Sequence, residues 1–167
     1  MTNDIASELF SKWKTFEGGG NIYLMSGVDK NKPDFKSILT LSILFAKEGH
    51  QVMILTSCHF KSPEYKMVFG SLLGTKYERK CPDLMIDGEL YEYEGFEKPW
   101  NRRKIKNMLA HGFLQASRII IDNTKGASDR IIRKAIMARL KIGTEIDEVW
   151  LYEKGSKRLF FCNRFFL

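Results

Sequence analysis

Asp83, Glu92 and Glu94 fall within one short stretch, CPDLMIDGELYEYEGFEKP, residues 81–99. Along an extended strand every second side chain points to the same face. Glu92 and Glu94 therefore share one face, and Tyr91 and Tyr93 the other. A turn centred on Gly88 folds PDLMID back on ELYEYEGF and brings Asp83 towards the glutamates. Carboxylates gathered in this way repel one another. They persist where they are solvated, where one is protonated, or where a hard cation such as Mg²⁺ neutralises them. Such a cation activates water and offsets charge on a phosphate being cleaved. An ordinary strand with solvated glutamates has the same alternation, so the spacing alone leaves both readings open.

The elements around this hairpin read as a mixed α/β sheet flanked by helices. DIASELFSKWKTF places Leu9, Trp13 and Phe16 on one face at helical spacing, which predicts an amphipathic helix. GGG at 18–20 makes a hinge or turn. NIYLMS reads as a short strand. Pro33 and Asp34 start a helix through SILTLSILFAKEG, which Gly49 caps, and QVMILT reads as a buried strand. This β-α-β order favours parallel pairing. Residues 57–80 are less regular. After the hairpin come a helix over NRRKIKNMLAHGFLQAS, a strand RIIID, a helix DRIIRKAIMARLKIG ending at Gly143, and two closing strands turned at Gly155–Ser156. No linker separates two domains, so one domain over 1–167 is expected, with residues 1–20 as helix and glycine turn and a core at about 35–162.

Charge is distributed unevenly. Residues 1–96 carry 11 Lys/Arg against 13 Asp/Glu, a net of −2, and residues 97–167 carry 16 against 7, a net of +9. A basic half of this kind fits an anionic partner, with nucleic acid first and solubility as the plain alternative. On the last long helix, Arg130, Arg133, Lys134 and Lys141 fall within a stripe about 100° wide that could follow a phosphate backbone. Arg102 and Arg103, at the start of the preceding helix, join them as candidate phosphate contacts. Arg139 projects into the apolar side of its helix, where it either snorkels outward or is buried against a carboxylate; the second is expected. Trp100 either stacks on an unpaired base or anchors its loop. RLFFCNRFFL is expected to pack into the core or a dimer contact.

Three cysteines without CxxC spacing argue against a disulfide framework or zinc ribbon and fit reduced thiols in the cytoplasm. No apolar run approaches a membrane span, and the N-terminus lacks signal-peptide character. There is no P-loop, because GTKYERK lacks GxxxxGK, and no GxGxxG.

Asp83, then eight residues, then Glu92-Tyr93-Glu94, followed by a helix and a strand, resembles the PD-(D/E)xK nuclease superfamily. FAKEGHQV, PDLMIDGELYEYE and GFLQASRIIID look most like the tRNA-cleaving toxin domains of contact-dependent growth inhibition systems and related proteins of bacterial mobile elements. The resemblance covers roughly residues 35–162 and implies a restriction-endonuclease-like core. It implies Asp83, Glu92 and Glu94 as ligands of Mg²⁺ or Mn²⁺, RNA rather than DNA as substrate, and an immunity-type protein as a further partner. Glu94 stands where the superfamily usually has Lys, so the resemblance makes Lys104 the candidate for a lysine moved onto the next helix. On that helix Lys104, His111 and Gln115 line up beside the apolar stripe of Ile105, Met108, Leu109 and Phe113. Gln115 also matches a glutamine that recurs at this helix end in the resembling families, whereas His111 reads as a boundary histidine. Two other readings stand beside a metal-dependent nuclease. One is an inactive nuclease-like fold that binds nucleic acid or protein. The other is a metal-independent ribonuclease of the barnase–colicin–EndoU type, which would use His111 with a nearby Glu or Lys.

Overall fold

The computed structural model describes residues 7–95 and 99–165. The chain falls into two compact units, residues 1–90 and 91–167. Each is built on four mixed strands with helices, as the sequence pattern requires.

In the first unit the strands run in the order β1 (Phe10–Thr15), β2 (Asn21–Met25), β3 (Gln51–Ile54) and β4 (Leu84–Ile86). β1 and β2 are antiparallel, β2 and β3 parallel, and β3 and β4 antiparallel. The parallel pair is joined through α1 (Phe35–Lys47), which buries Ile38, Leu41, Phe45 and Ala46. The expected β-α-β unit is thus present, with Asp34 at the helix start and Gly49 at its end in the left-handed region (φ 96°). The irregular segment 57–80 contains α2 (Pro63–Phe69), begun by Ser62, whose hydroxyl accepts from the Tyr65 amide at 3.1 Å, and a short 3₁₀ turn at Gly70–Leu72. Tyr65, Val68 and Phe69 from α2 join Met25, Leu55 and Leu90 in this unit's core.

The N-terminal helix expected over residues 4–16 is replaced by a strand. Residues 7–9 are helical, residues 4–6 lie outside the described residues, and Phe10–Thr15 pair with β2. Trp13, assigned by helical spacing to a buried stripe, is 41% exposed. The glycine turn explains the change. Gly19 N donates to Phe16 O and Phe16 N to Gly20 O, each at 2.9 Å, which closes a hairpin. Phe, Trp and Thr favour the extended state, and Lys12 and Lys14 on this largely exposed strand discourage further pairing.

β5 (Glu89–Glu94) starts in the first unit and continues into the second. The turn before it is Asp87–Gly88, both with positive φ (49° and 86°), the conformation that a two-residue hairpin loop demands. His50 Nδ1 lies 2.6 Å from Asp87 Oδ2, and Gln51 N donates to Asp87 Oδ1 at 2.9 Å, so the turn is tied to the start of β3. The second strand was expected to reach Phe96, which lies outside the described residues.

In the second unit β5 is followed by β6 (Arg118–Asp122), β7 (Glu148–Glu153) and β8 (Ser156–Cys162). β5, β6 and β7 are parallel and β8 is antiparallel to β7. The two parallel crossovers are α3 (Arg102–Gln115) and α4 (Asp129–Lys141). Asn101 caps α3 by accepting from the Lys104 amide at 2.9 Å. Ile105, Met108, Leu109 and Phe113 on α3 and Ile132 and Ile136 on α4 pack on Ile119, Ile121, Val149 and Leu151 of the sheet. Burial of each such side chain is worth about 1.5–3 kcal/mol. Trp100 packs against this core, which favours the loop-anchor reading over base stacking. Phe160 and Phe161 also pack there and Cys162 is buried, in line with the expected core role of the C-terminal segment; Phe166 and Leu167 lie outside the described residues. All three cysteines are free. No described helix is long and apolar enough to cross a membrane.

Candidate functional site

β5 sends Glu92 and Glu94 to the helix-covered face of the second unit. Its register with β6 sets Glu92 beside Ile119 and Glu94 beside Ile121, and both isoleucines belong to the core beneath α3 and α4. Glu92 is 8% exposed. The Glu94 side chain is 12% exposed. A polar-out strand with solvated glutamates therefore does not describe β5. The alternation itself holds. Tyr91 and Tyr93 are on the other face, where their hydroxyls donate to Glu148 Oε2 at 2.5 Å and Asp122 Oδ2 at 2.6 Å.

Room for Glu94 comes from α3. Gly112 faces it, and a Cβ there would lie 3.0 Å from Glu94 Cγ and 3.3 Å from Oε1. One residue earlier, His111 puts Nδ1 2.6 Å from Glu94 Oε1. The ligand atoms of Glu92, Glu94 and His111 all lie within 4.8 Å of one another. Burial pushes the Glu94 carboxyl above its ordinary value of 4.5; the hydrogen bond and charge of His111 pull the other way without cancelling the rise. Two nearly buried carboxylates beside aliphatic side chains cost free energy unless protons, hydrogen bonds or a cation compensate them. His111 remains 62% exposed, so the cluster has an edge open to solvent.

The other expected residues lie as follows. Asp83 belongs to the first unit, outside that cluster; it is half-buried, its carbonyl accepts from Leu55 N at 2.9 Å, and it lines a small cavity with Asp29, Lys32 and Thr56. Lys104 occupies the first turn of α3, where Nζ donates to the Pro99 carbonyl at 2.9 Å. Gln115 is the last residue of α3 and is half-buried. Arg102 and Arg103 are exposed at the start of α3, and Arg130, Arg133, Lys134 and Lys141 are exposed along α4. Arg133 lies over the Phe160 ring, 5.3 Å from its centroid. Arg139 is not buried against a carboxylate. It is half-buried beside the groove between α3 and α4, and its Nε, shielded from solvent, has no hydrogen-bond partner among the described residues.

His111 is the residue that sequence reasoning set aside and the structure brings to the carboxylates. Two signals pointed to it. It follows Lys104 by seven residues on the flank of α3, and it directly precedes Gly112, the small residue that lets the strand's side chain approach.

No protein-family model matches the chain, and neither does any curated protein. Among solved structures, a chain of the CdiA-CT/CdiI toxin and immunity complex from Burkholderia pseudomallei aligns with 80% of this chain and 89% of its own length, at 18% identity and a TM-score of 0.49.

Proposed function

We propose that the protein is a metal-dependent phosphodiesterase acting on RNA, with Glu92, Glu94 and His111 as the centre of its site. The observation that carries this reading is the convergence of one buried carboxylate, one nearly buried carboxylate and one imidazole within 4.8 Å on the helix-covered face of a sheet. The donor set fits a divalent cation. Carboxylate oxygens suit Mg²⁺ and Mn²⁺. A cation held there would supply a nucleophile at neutral pH and offset charge developing on phosphate oxygens. Glu92 and Glu94 would hold it from the strand. His111, at the solvent edge, accepts or returns a proton at Nε2, while Glu94 holds its Nδ1 and orients the ring. The net charge of +9 over residues 97–167 draws a phosphate backbone to this unit, with Arg103, Arg133 and Lys141 among the contacts. Asp83, the first carboxylate of the motif, joins the proposal through the sequence resemblance, and its own alanine variant tests it. Such a protein would act in the cytoplasm, where its substrate is.

A second reading has its own observation. His111 held 2.6 Å from a carboxylate is also the arrangement of a general base and its orienting acid, which needs no metal. One assay separates the two. Purified protein is incubated with total tRNA, single-stranded DNA and double-stranded DNA in Mn²⁺, Mg²⁺ or EDTA, beside Asp83→Ala, Glu92→Ala and His111→Ala. The expected result is RNA cleavage that needs metal and Glu92. Cleavage that survives EDTA and Glu92→Ala but needs His111 moves the case to the metal-independent reading. A folded protein that cleaves nothing overturns both.

A further inference from the structure

The second unit carries another feature, a groove that takes in Arg102, Arg130 and Lys134, three of the cations expected from the sequence to meet phosphates. It has a volume of about 660 Å³ and runs between α3 and α4. Five cations line it: Arg102 and Lys106 from α3, and Arg130, Lys134 and Arg139 from α4. None of its lining residues is acidic, and none of the five forms an ion pair among the described residues. Its floor is aliphatic, with Ile131, Ala135 and Ala138 along α4. Ile142, at one end, is 70% exposed, although large aliphatic side chains are usually covered. Among the described residues, the shielded Arg139 Nε has no acceptor. A guanidinium nitrogen held out of water without a partner costs free energy until a ligand oxygen meets it.

We infer that this groove docks an acidic amphipathic helix of a partner protein, with the apolar face of that helix on the α4 floor and its carboxylates against the five cations. Charge complementarity selects an anionic occupant. The floor then decides which kind. Unpaired bases stack on aromatic rings, and this lining contains none. A phosphate backbone would satisfy the cations and leave the aliphatic floor unmatched. A helix with apolar residues at i, i+3/i+4 and i+7 and carboxylates at its flanks satisfies both. A second copy of this chain is disfavoured, because its net charge of +7 would approach five unpaired cations.

The groove is distinct from the carboxylate cluster. At about 100° per residue, Arg102 and Lys106 project from the flank of α3 opposite His111. A helix seated there leaves the open edge at His111 uncovered. The inference therefore does not rest on the nuclease reading, and either can fail alone.

The test uses three labelled probes in fluorescence anisotropy at physiological salt. They are a short peptide with Leu at i, i+3/i+4 and i+7 and Glu at the flanking positions, a scrambled peptide of the same composition, and a single-stranded RNA of equal charge. The protein is used as the full chain, beside Ala138→Trp, which fills the floor, and Lys134→Glu, which inverts a rim charge; circular dichroism checks that each variant is folded. The patterned peptide is expected to bind about tenfold or more tighter than its scramble, and each variant to weaken it about tenfold, the size expected when an anchor pocket is lost. Equal binding of both peptides would reduce the groove to a charged surface and overturn the inference. So would no peptide binding, RNA binding that outcompetes the peptide and is lost in the same variants, or a concentration-dependent dimer in which the groove is covered.

Discussion

Among the described residues, two histidines each set Nδ1 2.6 Å from a carboxylate, in opposite settings. In the first unit His50 Nδ1 lies 2.6 Å from Asp87 Oδ2, and in the second His111 Nδ1 lies 2.6 Å from Glu94 Oε1. The Asp87 side chain is 50% exposed, while that of Glu94 is 12% exposed. Burial alone would raise both carboxyls. At Asp87 the bonds from His50 and the Gln51 amide outweigh it, and the carboxyl sits below its ordinary value of 3.8. At Glu94 burial wins and the carboxyl sits above its ordinary value. Asp87 also has a backbone task, since it holds a positive-φ turn. Glu94 has none that its strand would not meet with another residue, and it has Glu92 beside it. Pair distance therefore says little about role. Burial and the presence of a second carboxylate separate a turn clamp from a candidate reaction centre.

Four variants put that contrast to the test. The largest effect belongs to activity. His111→Ala is expected to lower RNA cleavage about 100-fold or more, the usual contribution of a positioned acid–base or ligand group. His50→Ala should leave it unchanged. Equal losses in a cleavage assay would erase the distinction between the pairs.

Next comes Gly112→Ala. The new methyl must displace Glu94 by a few tenths of an ångström, since Cγ would lie only 3.0 Å away, and it also meets Ile119 Cγ2 at 3.4 Å. Helix propensity gains up to about 1 kcal/mol with the same change and offsets part of that crowding. Stability should therefore change little while Mn²⁺ affinity falls about tenfold. Calorimetric titration beside thermal melts reads both. A loss of stability with unchanged affinity would mean that Glu94 has no demand for its position.

Smaller effects separate the pairs in stability. His50→Ala is expected to cost about 1 kcal/mol, the size of one hydrogen bond, in urea melts at neutral pH. The cost should hold down to the ordinary carboxyl value of 3.8 and fade as pH falls further. A carboxyl lowered by folding contributes stability that is present above its unfolded value and lost as pH falls through the folded one. Glu94 has the reverse sign. A raised carboxyl contributes stability that is complete below its unfolded value of 4.5 and lost as pH rises through the folded one. Glu94→Gln should therefore flatten the decline in stability above pH 4.5 and make the protein more stable at neutral pH while removing metal binding. A less stable Glu94→Gln protein at pH 7 would show that the ionised carboxylate is structurally needed.

The same contrast explains what the sequence could disclose. Strands β2, β3 and β6 and helices α1 and α4 were legible because their apolar patterns and the glycines that bound them agree. The hairpin turn was legible from Gly88; that Asp87 shares its positive φ and completes the two-residue loop came from the structure. The N-terminal strand was not, because Leu9, Trp13 and Phe16 happen to keep helical spacing while the glycine turn beyond them closes a hairpin. At the site, alternation correctly put Glu92 and Glu94 on one face. It could not say that the face is the helix-covered one, because that depends on which side α3 and α4 pack. His111 reaches Glu94 across 17 residues of chain, a separation that no local period encodes. Arg139 was read as a cation in need of an internal carboxylate, whereas the structure sets it at a groove with no acidic lining.

The most direct test is Mn²⁺ titration of the purified wild-type protein and of Glu92→Gln, followed by electron paramagnetic resonance of free Mn²⁺. Glu92→Gln keeps the side chain's size and removes its charge. Saturable binding of Mn²⁺ to the wild type, abolished in a folded Glu92→Gln protein and untouched in Asp87→Asn, is the predicted result. Binding that is absent from the wild type, or that persists undiminished in Glu92→Gln, would contradict the assignment of Glu92 and Glu94 as metal ligands beside His111.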